Sequence, residues 1–124
     1  MFVFENGGQI KVIPVSTGKP DPNNRTPAWR GRVGSYWGTF YNFNAYADDA
    51  WYLFKARGSI LIHGAPYIYH NRRRKVYQEL DALGNYPSSH GCIRLHPSDA
   101  RWFTAWEPKG VPVIITALHE ECIP

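Results

Sequence analysis

Residues 87–97 read PSSHGCIRLHP. A histidine, a glycine and a cysteine stand side by side, preceded by serines and followed, two positions after the cysteine, by an arginine. A cysteine becomes a useful nucleophile when a nearby cation or imidazole favours its thiolate and a base can take its proton. Gly91 permits a sharp backbone turn and the close approach of a substrate, so the Gly91 and Cys92 N–H groups are candidate oxyanion donors. If residues 92–95 are extended, Cys92 and Arg94 face the same way, and the guanidinium can hold a substrate carboxylate beside the thiol. The duller role of Arg94 is an ion pair that stabilises the fold. These residue types at this spacing predict covalent acyl transfer.

A base is needed as well. His90 is close in sequence, yet residues two apart in an extended segment share a face without necessarily meeting. ILIHGAP, residues 60–66, offers a better one. It sets His63 at the end of a short apolar strand just before Gly64, a position rigid below and open above. On that reading the acylation rate rises through the neutral range, where imidazole ordinarily titrates. A rival chemistry is a zinc site made of His63, His90, Cys92 and His96, but the spacing has no second close ligand pair. His70, His96 and His119 are expected at the surface. The chain has two cysteines, Cys92 and Cys122, which excludes a disulfide scaffold; Cys122 has no expected catalytic part.

The elements that position these residues read mostly as strands. A chain of 124 residues, 44% hydrophobic and 15% aromatic, fits one domain spanning 1–124. The run FVFENGGQIKVIPV predicts a hairpin on Asn6-Gly7-Gly8, pairing residues 2–4 with 10–15; Pro14 predicts an edge position or bulge. Residues 16–34, rich in Pro, Gly, Asn and Arg, read as a long irregular loop. SYWGTFYNFNAY, WYLFK, SILIHG and VPVIITA read as strands. Two helices are expected: one over residues 98–106 with Ser98 as N-cap, and one over residues 75–84, where Val76, Leu80 and Leu83 fall at helical spacing before Gly84. The fold class is mainly β, a sandwich or small barrel with one or two short helices. The net charge of +4 and pI of about 9.2 suit an anionic partner, although only RRRK, residues 72–75, is clustered. A solvated face is the default for that cluster. No apolar run is long enough to span a bilayer, and the N-terminus carries no signal-peptide pattern.

SSHGCIRL, preceded by IHGAP and earlier by VSTG and TP, resembles the L,D-transpeptidase catalytic domain family of bacterial cell-wall enzymes. The similarity runs from about residue 2 to 116, and PSDARWFTAWEPKGVPVII matches the family's helix and following strand. The resemblance implies a β-rich fold and a metal-free, cofactor-free cysteine mechanism on peptidoglycan stem tetrapeptides. Cys92 attacks the carbonyl between the diamino acid and the terminal D-alanine, and an amine on a second stem receives the acyl group in a 3→3 cross-link. It implies Cys92 as nucleophile and His63 as base, oriented by the Gly64 carbonyl. His90, Ser89 and Gly91 then shape the site, Arg94 lies near substrate, and Tyr46 or Tyr52 completes the oxyanion hole. It also implies an extracytoplasmic location, with the export signal and an N-terminal strand absent from this chain. A monomer with no nucleic-acid partner is expected. An L,D-carboxypeptidase using water is the near alternative. A wall-binding module whose aromatics stack on sugar rings is the non-enzymatic one, but it has no need of a cysteine beside a histidine.

Three departures accompany the resemblance. One is the absent N-terminal strand. The second is the unusual continuation of the TP loop. The third is the spacing of 29 positions from His63 to Cys92, wider than is common in the family. The extra residues predict a cover over the site, with residues 72–83 as its cationic and helical part.

Overall fold

The computed structural model describes residues 1–117. Strand β1 (Phe2–Glu5) pairs antiparallel with β2 (Gly8–Val12) through a turn in which Asn6 and Gly7 both take left-handed backbone angles, the geometry that matches strand twist. Pro14, which cannot donate to a ladder, stands where the chain leaves β2 for β3 (Val15–Ser16). The expected long loop is only partly a loop. Trp29–Arg32 forms β4, paired antiparallel with β11 (Pro112–Ile115), with Trp29 and Gly31 half-buried and Trp29 packed against the core.

The central sheet has the order β3-β10-β7-β6-β8-β9, with β5 on the other edge of β6. β5 (Tyr36–Asn42) and the long β6 (Ala45–Lys55) form a hairpin whose two-residue turn is Phe43-Asn44. β7 (Ser59–Gly64) and β8 (Tyr67–His70) occupy successive stretches of one β6 edge, interrupted at Ala65-Pro66. β10 (Ile93–Leu95) then pairs parallel with β7, Arg94 opposite His63. The aliphatic, β-branched SILIHG run can fill this central position because it is buried on both faces. Helix α1 (Pro97–Ala105) packs against β6, β7 and β10 through Ala100 and Phe103, and the Trp51 indole N–H donates to Thr104 Oγ1 at 3.0 Å. Trp51, Leu53, Ile62, Leu95 and Phe103 belong to one apolar core.

Two sequence expectations need correction here. Helix α1 begins one residue before the expected cap: Pro97 opens it and His96 caps it, Nδ1 accepting the Ser98 N–H at 3.2 Å. Residues 75–84 are not a helix. β9 (Arg74–Tyr77) pairs with β8, Glu79 takes φ 54°, and only a single 3-10 turn, Leu80–Ala82, follows. Val76 and Tyr77 favour a strand once Tyr67–His70 is available as partner.

Candidate active site

The residues flanking the SHGC turn decide its shape. Gly91 takes φ 137°, a backbone angle that requires glycine, and a Cβ there would press on Ile60 Cδ1 at 3.0 Å. Ser89 is 2% exposed and spends its hydroxyl inside the turn, donating to Cys92 O at 2.6 Å and accepting the Gly91 N–H at 3.1 Å. The Gly91 N–H, expected as an oxyanion donor, is turned to Ser89 Oγ in this structure, and Ser89, at the cavity's edge, spends its hydroxyl bracing the turn.

VSTG and TP clamp this turn from behind. The Thr17 carbonyl accepts the Ser88 and Ser89 N–H groups at 2.9 and 3.0 Å, and Ser16 Oγ lies 2.7 Å from Ser88 Oγ. Thr26 Oγ1 accepts the Gly18 N–H at 2.9 Å and donates to Gly91 O at 2.7 Å, one buried hydroxyl joining three segments. A side chain at Gly18 would collide with the Asn24 carbonyl, 1.8 Å from an ideal Cβ.

Cys92 and His63 line one cavity of about 630 Å³, together with Arg94, His90, Ser89 and Tyr46. His63 is buried, and its Nδ1 lies 2.5 Å from Gly64 O. A carbonyl only accepts, so Nδ1 carries the proton and Nε2 keeps its lone pair. Burial, opposed by the Gly64 hydrogen bond and aided by the Arg94 charge, lowers the His63 pKa to about 4. His63 is thus a neutral imidazole across the whole neutral range, and its titration is displaced below the range expected from sequence. Burial also pushes the Cys92 thiol up, against the Leu61 N–H and Arg94, which pull it down. Sγ receives the Leu61 N–H at 3.4 Å and donates to Ser59 O at 3.7 Å. The resting pair is a neutral thiol and a neutral imidazole.

The surrounding side chains are as informative. Arg94 pairs with Glu79 at 3.3 Å and donates to Ser88 Oγ at 3.0 Å, while its buried Nε has no hydrogen-bond partner among the described residues. His90 is exposed and stacked on Phe43, ring centroids 3.8 Å apart; burial, followed by the Lys19 and Arg94 charges, lowers its pKa. Phe40 meets His63 edge-on at 5.1 Å. Tyr46 faces the cavity; Tyr52 does not line it and stacks on Trp37 instead. Asp49, with φ 55°, interrupts β6 between them and reverses which residues face the site. Sequence reasoning missed Phe40, Phe43 and Glu79, none of which sits in a motif. Thr26 was quoted only as part of TP, without this role.

The remaining expectations fall elsewhere. His70 is exposed at the end of β8, and His96 is exposed at the α1 cap. Cys122 and His119 lie outside the described residues. No group of three His, Cys, Asp or Glu side chains gathers as metal ligands among the described residues. No helix among them is long and apolar enough to cross a membrane. RRRK is not uniformly a solvated face: Lys75 pairs with Asp48 at 2.8 Å and stands over the Tyr67 ring at 4.5 Å.

Comparison with known proteins agrees with this geometry. The family profile described as the L,D-transpeptidase catalytic domain (YkuD) matches residues 1–115. A Bacillus subtilis (strain 168) protein named "Putative L,D-transpeptidase YciB" is 27% identical over 118 residues, covering 93% of this chain and 59% of its own length. The structure of LdtMt1 in complex with imipenem superposes with a TM-score of 0.71 at 23% identity, over 93% of this chain and 53% of that one; it shows the fold. An L,D-transpeptidase from Mycobacterium tuberculosis H37Rv gives 0.59 at 29% identity, over 93% of this chain and 46% of that one. The chain therefore spans about half the length of the relatives it matches.

Proposed function

Since the chain belongs to the L,D-transpeptidase catalytic domain family, we propose that it transfers the acyl group of a peptidoglycan stem tetrapeptide through a thioester on Cys92. The observation that carries this reading is the single cavity in which His63, its Nδ1–H held by Gly64 O, accompanies Cys92 and Arg94. His63 Nε2 takes the thiol proton as Sγ bonds to the carbonyl carbon of the donor stem, and the electron pair moves to oxygen. The Cys92 N–H and the Tyr46 hydroxyl stabilise that oxyanion. The tetrahedral adduct collapses as His63 returns the proton to the departing amine of D-alanine, leaving a thioester. A side-chain amine of a second stem then attacks, His63 again takes and returns the proton, and the thiol is restored with a 3→3 cross-link formed.

Burial explains why a neutral pair suffices. A thiolate in this cavity would lose hydration that the Leu61 N–H only partly replaces, so proton transfer and attack proceed together rather than from a preformed ion pair. Arg94 receives a substrate carboxylate in place of Glu79, whose side chain is 47% exposed and readily displaced. On this reading the chain acts outside the cytoplasmic membrane, where its cell-wall substrate lies.

Intact-mass spectrometry with a stem tetrapeptide tests the reading. Wild type is expected to gain the mass of the tetrapeptide less that of D-alanine, and Cys92→Ala to gain nothing; an adduct that persists in Cys92→Ala removes Cys92 as nucleophile. Product analysis with and without an acceptor amine separates cross-linking from hydrolysis.

A further inference from the structure

Beside the catalytic cavity lies a second cleft, of about 420 Å³, formed between two hairpin tips. Tyr41, Asn44 and Tyr46 reach it from the β5–β6 hairpin; Ile68, Tyr69 and Arg72 reach it from the β8–β9 hairpin. Asn44, Tyr46 and Ile68 also line the catalytic cavity, so the two spaces adjoin across shared walls. A ligand in one is placed to extend into the other.

Its chemistry is specific. Tyr41, Tyr46 and Tyr69 pack against one another, with centroids 4.8 Å apart for Tyr41–Tyr46 and 5.5 Å for Tyr46–Tyr69. Yet Tyr41 is 59% and Tyr69 45% exposed, which leaves electron-rich aromatic surface uncovered. Asn44 supplies an amide, and Arg72, which makes no ion pair among the described residues, supplies a guanidinium. The β8–β9 turn is strained to present a large side chain to the cleft: Arg72 takes φ 63°, a left-handed position that glycine would occupy at lower cost. A pyranose ring suits this arrangement: its C–H face packs on tyrosine, and its hydroxyl and acetamido edges pair with an amide and a guanidinium.

We propose that this cleft is a saccharide subsite, which holds an N-acetylated amino-sugar unit of the glycan while the attached stem peptide occupies the catalytic cavity. The inference rests on the acyl-transfer reading for the identity of the polymer, but the cleft's own binding is measurable without it. Tyr69 and Arg72 have no part in the acyl transfer, so substitutions there separate the two.

The experiment has two arms. In the first, chitotetraose is titrated into the Cys92→Ala protein and followed by NMR. Shifts confined to Tyr41, Asn44, Tyr46, Tyr69 and Arg72 are expected, with affinity falling about three- to tenfold in Tyr69→Ala and in Arg72→Ala. Because Arg72 sits at an exposed turn, its variant retains the fold even if Tyr69→Ala does not. In the second arm, a free tetrapeptide is compared with the disaccharide-linked tetrapeptide as donor. KM is expected to be lower for the linked donor, and Arg72→Ala to erase that advantage while leaving kcat and the free-peptide kinetics unchanged. Absence of chitotetraose binding, binding indifferent to both substitutions, or self-association that buries these tyrosines overturns the proposal. If neither donor reacts, the acyl-transfer reading fails, and the first arm still decides the cleft.

Discussion

The floor and the rim of this site are built on opposite principles. On the floor, Ser16, Thr26, His63, Ser88 and Ser89 are buried polar residues, each with a hydrogen-bond partner. At the rim, Tyr41, Phe43, Tyr69 and Arg72 are exposed and held by ring contacts or strained turns. A buried donor left without a partner costs about 1–3 kcal/mol, whereas an exposed aromatic contact is worth about 0.5–1.5 kcal/mol. Geometry that must not vary is therefore fixed by hydrogen bonds away from water. The rim, where the proposed saccharide contacts lie, is made of exposed side chains whose replacement is expected to disturb the fold less.

The sharpest way to break this contrast is at the base. His63→Gln is expected to lower the acylation rate by about 10²–10⁴-fold while leaving the fold intact, measured by single-turnover mass spectrometry and circular dichroism. A near-normal rate would transfer the role to His90.

The buried imidazole also links the floor to pH. The unfolded chain protonates His63 at its ordinary value of about 6.5, and the folded protein only at about 4. The folded pKa is depressed, so the unfolded state binds more protons between these values and stability falls as pH is lowered through that window. The loss approaches about 3 kcal/mol below pH 4, and His63→Gln is expected to show a shallower slope in urea titrations across the window. An identical slope would refute neutral burial. The acylation rate should meanwhile be flat from about pH 5 to 7, since the base is already neutral there.

Thr26→Val removes the hydroxyl that joins Gly18 to Gly91 and leaves a buried N–H and carbonyl unpaired. A loss of about 2 kcal/mol in urea unfolding is expected, accompanied by slower acylation. The smallest effect belongs to the rim. Phe43→Gly relieves the left-handed turn but loses the His90 stack, so stability should change by less than about 1 kcal/mol. A large destabilisation would mean that the rim is structural after all.

Much of the floor was readable because it is local in sequence. SHGC and IHG carry their own turn and strand signals, and the strands of the sheet announce themselves by β-branched and aromatic runs. What escaped depends on partners distant in the chain. Val76, Leu80 and Leu83 fit a helix until Tyr67–His70 pairs with Arg74–Tyr77. Trp29–Arg32 resembles loop until Pro112–Ile115 covers it. That Tyr46 and not Tyr52 lines the cavity turns on Asp49, an aspartate whose tolerance of left-handed backbone angles hides a change of face inside a long strand. The bond from the Gly91 N–H to Ser89 Oγ was not foreseen because nothing in the letters SSHG says which way a serine hydroxyl turns.

The parallel pairing of β7 with β10 has a practical side. Parallel neighbours cannot be joined by a tight turn, so the chain must leave the end of one and travel back to the start of the other. Here that return path contains β8, β9 and the 3-10 turn, and its base is closed by the Gln78 N–H to Pro66 O bond at 2.8 Å. The two ends are fixed by the sheet whatever lies between, which makes the path a natural grafting point. Exchanging residues 68–76 for another hairpin, while keeping the buried Tyr67, would alter what the cavity admits and leave Cys92 and His63 where the sheet puts them.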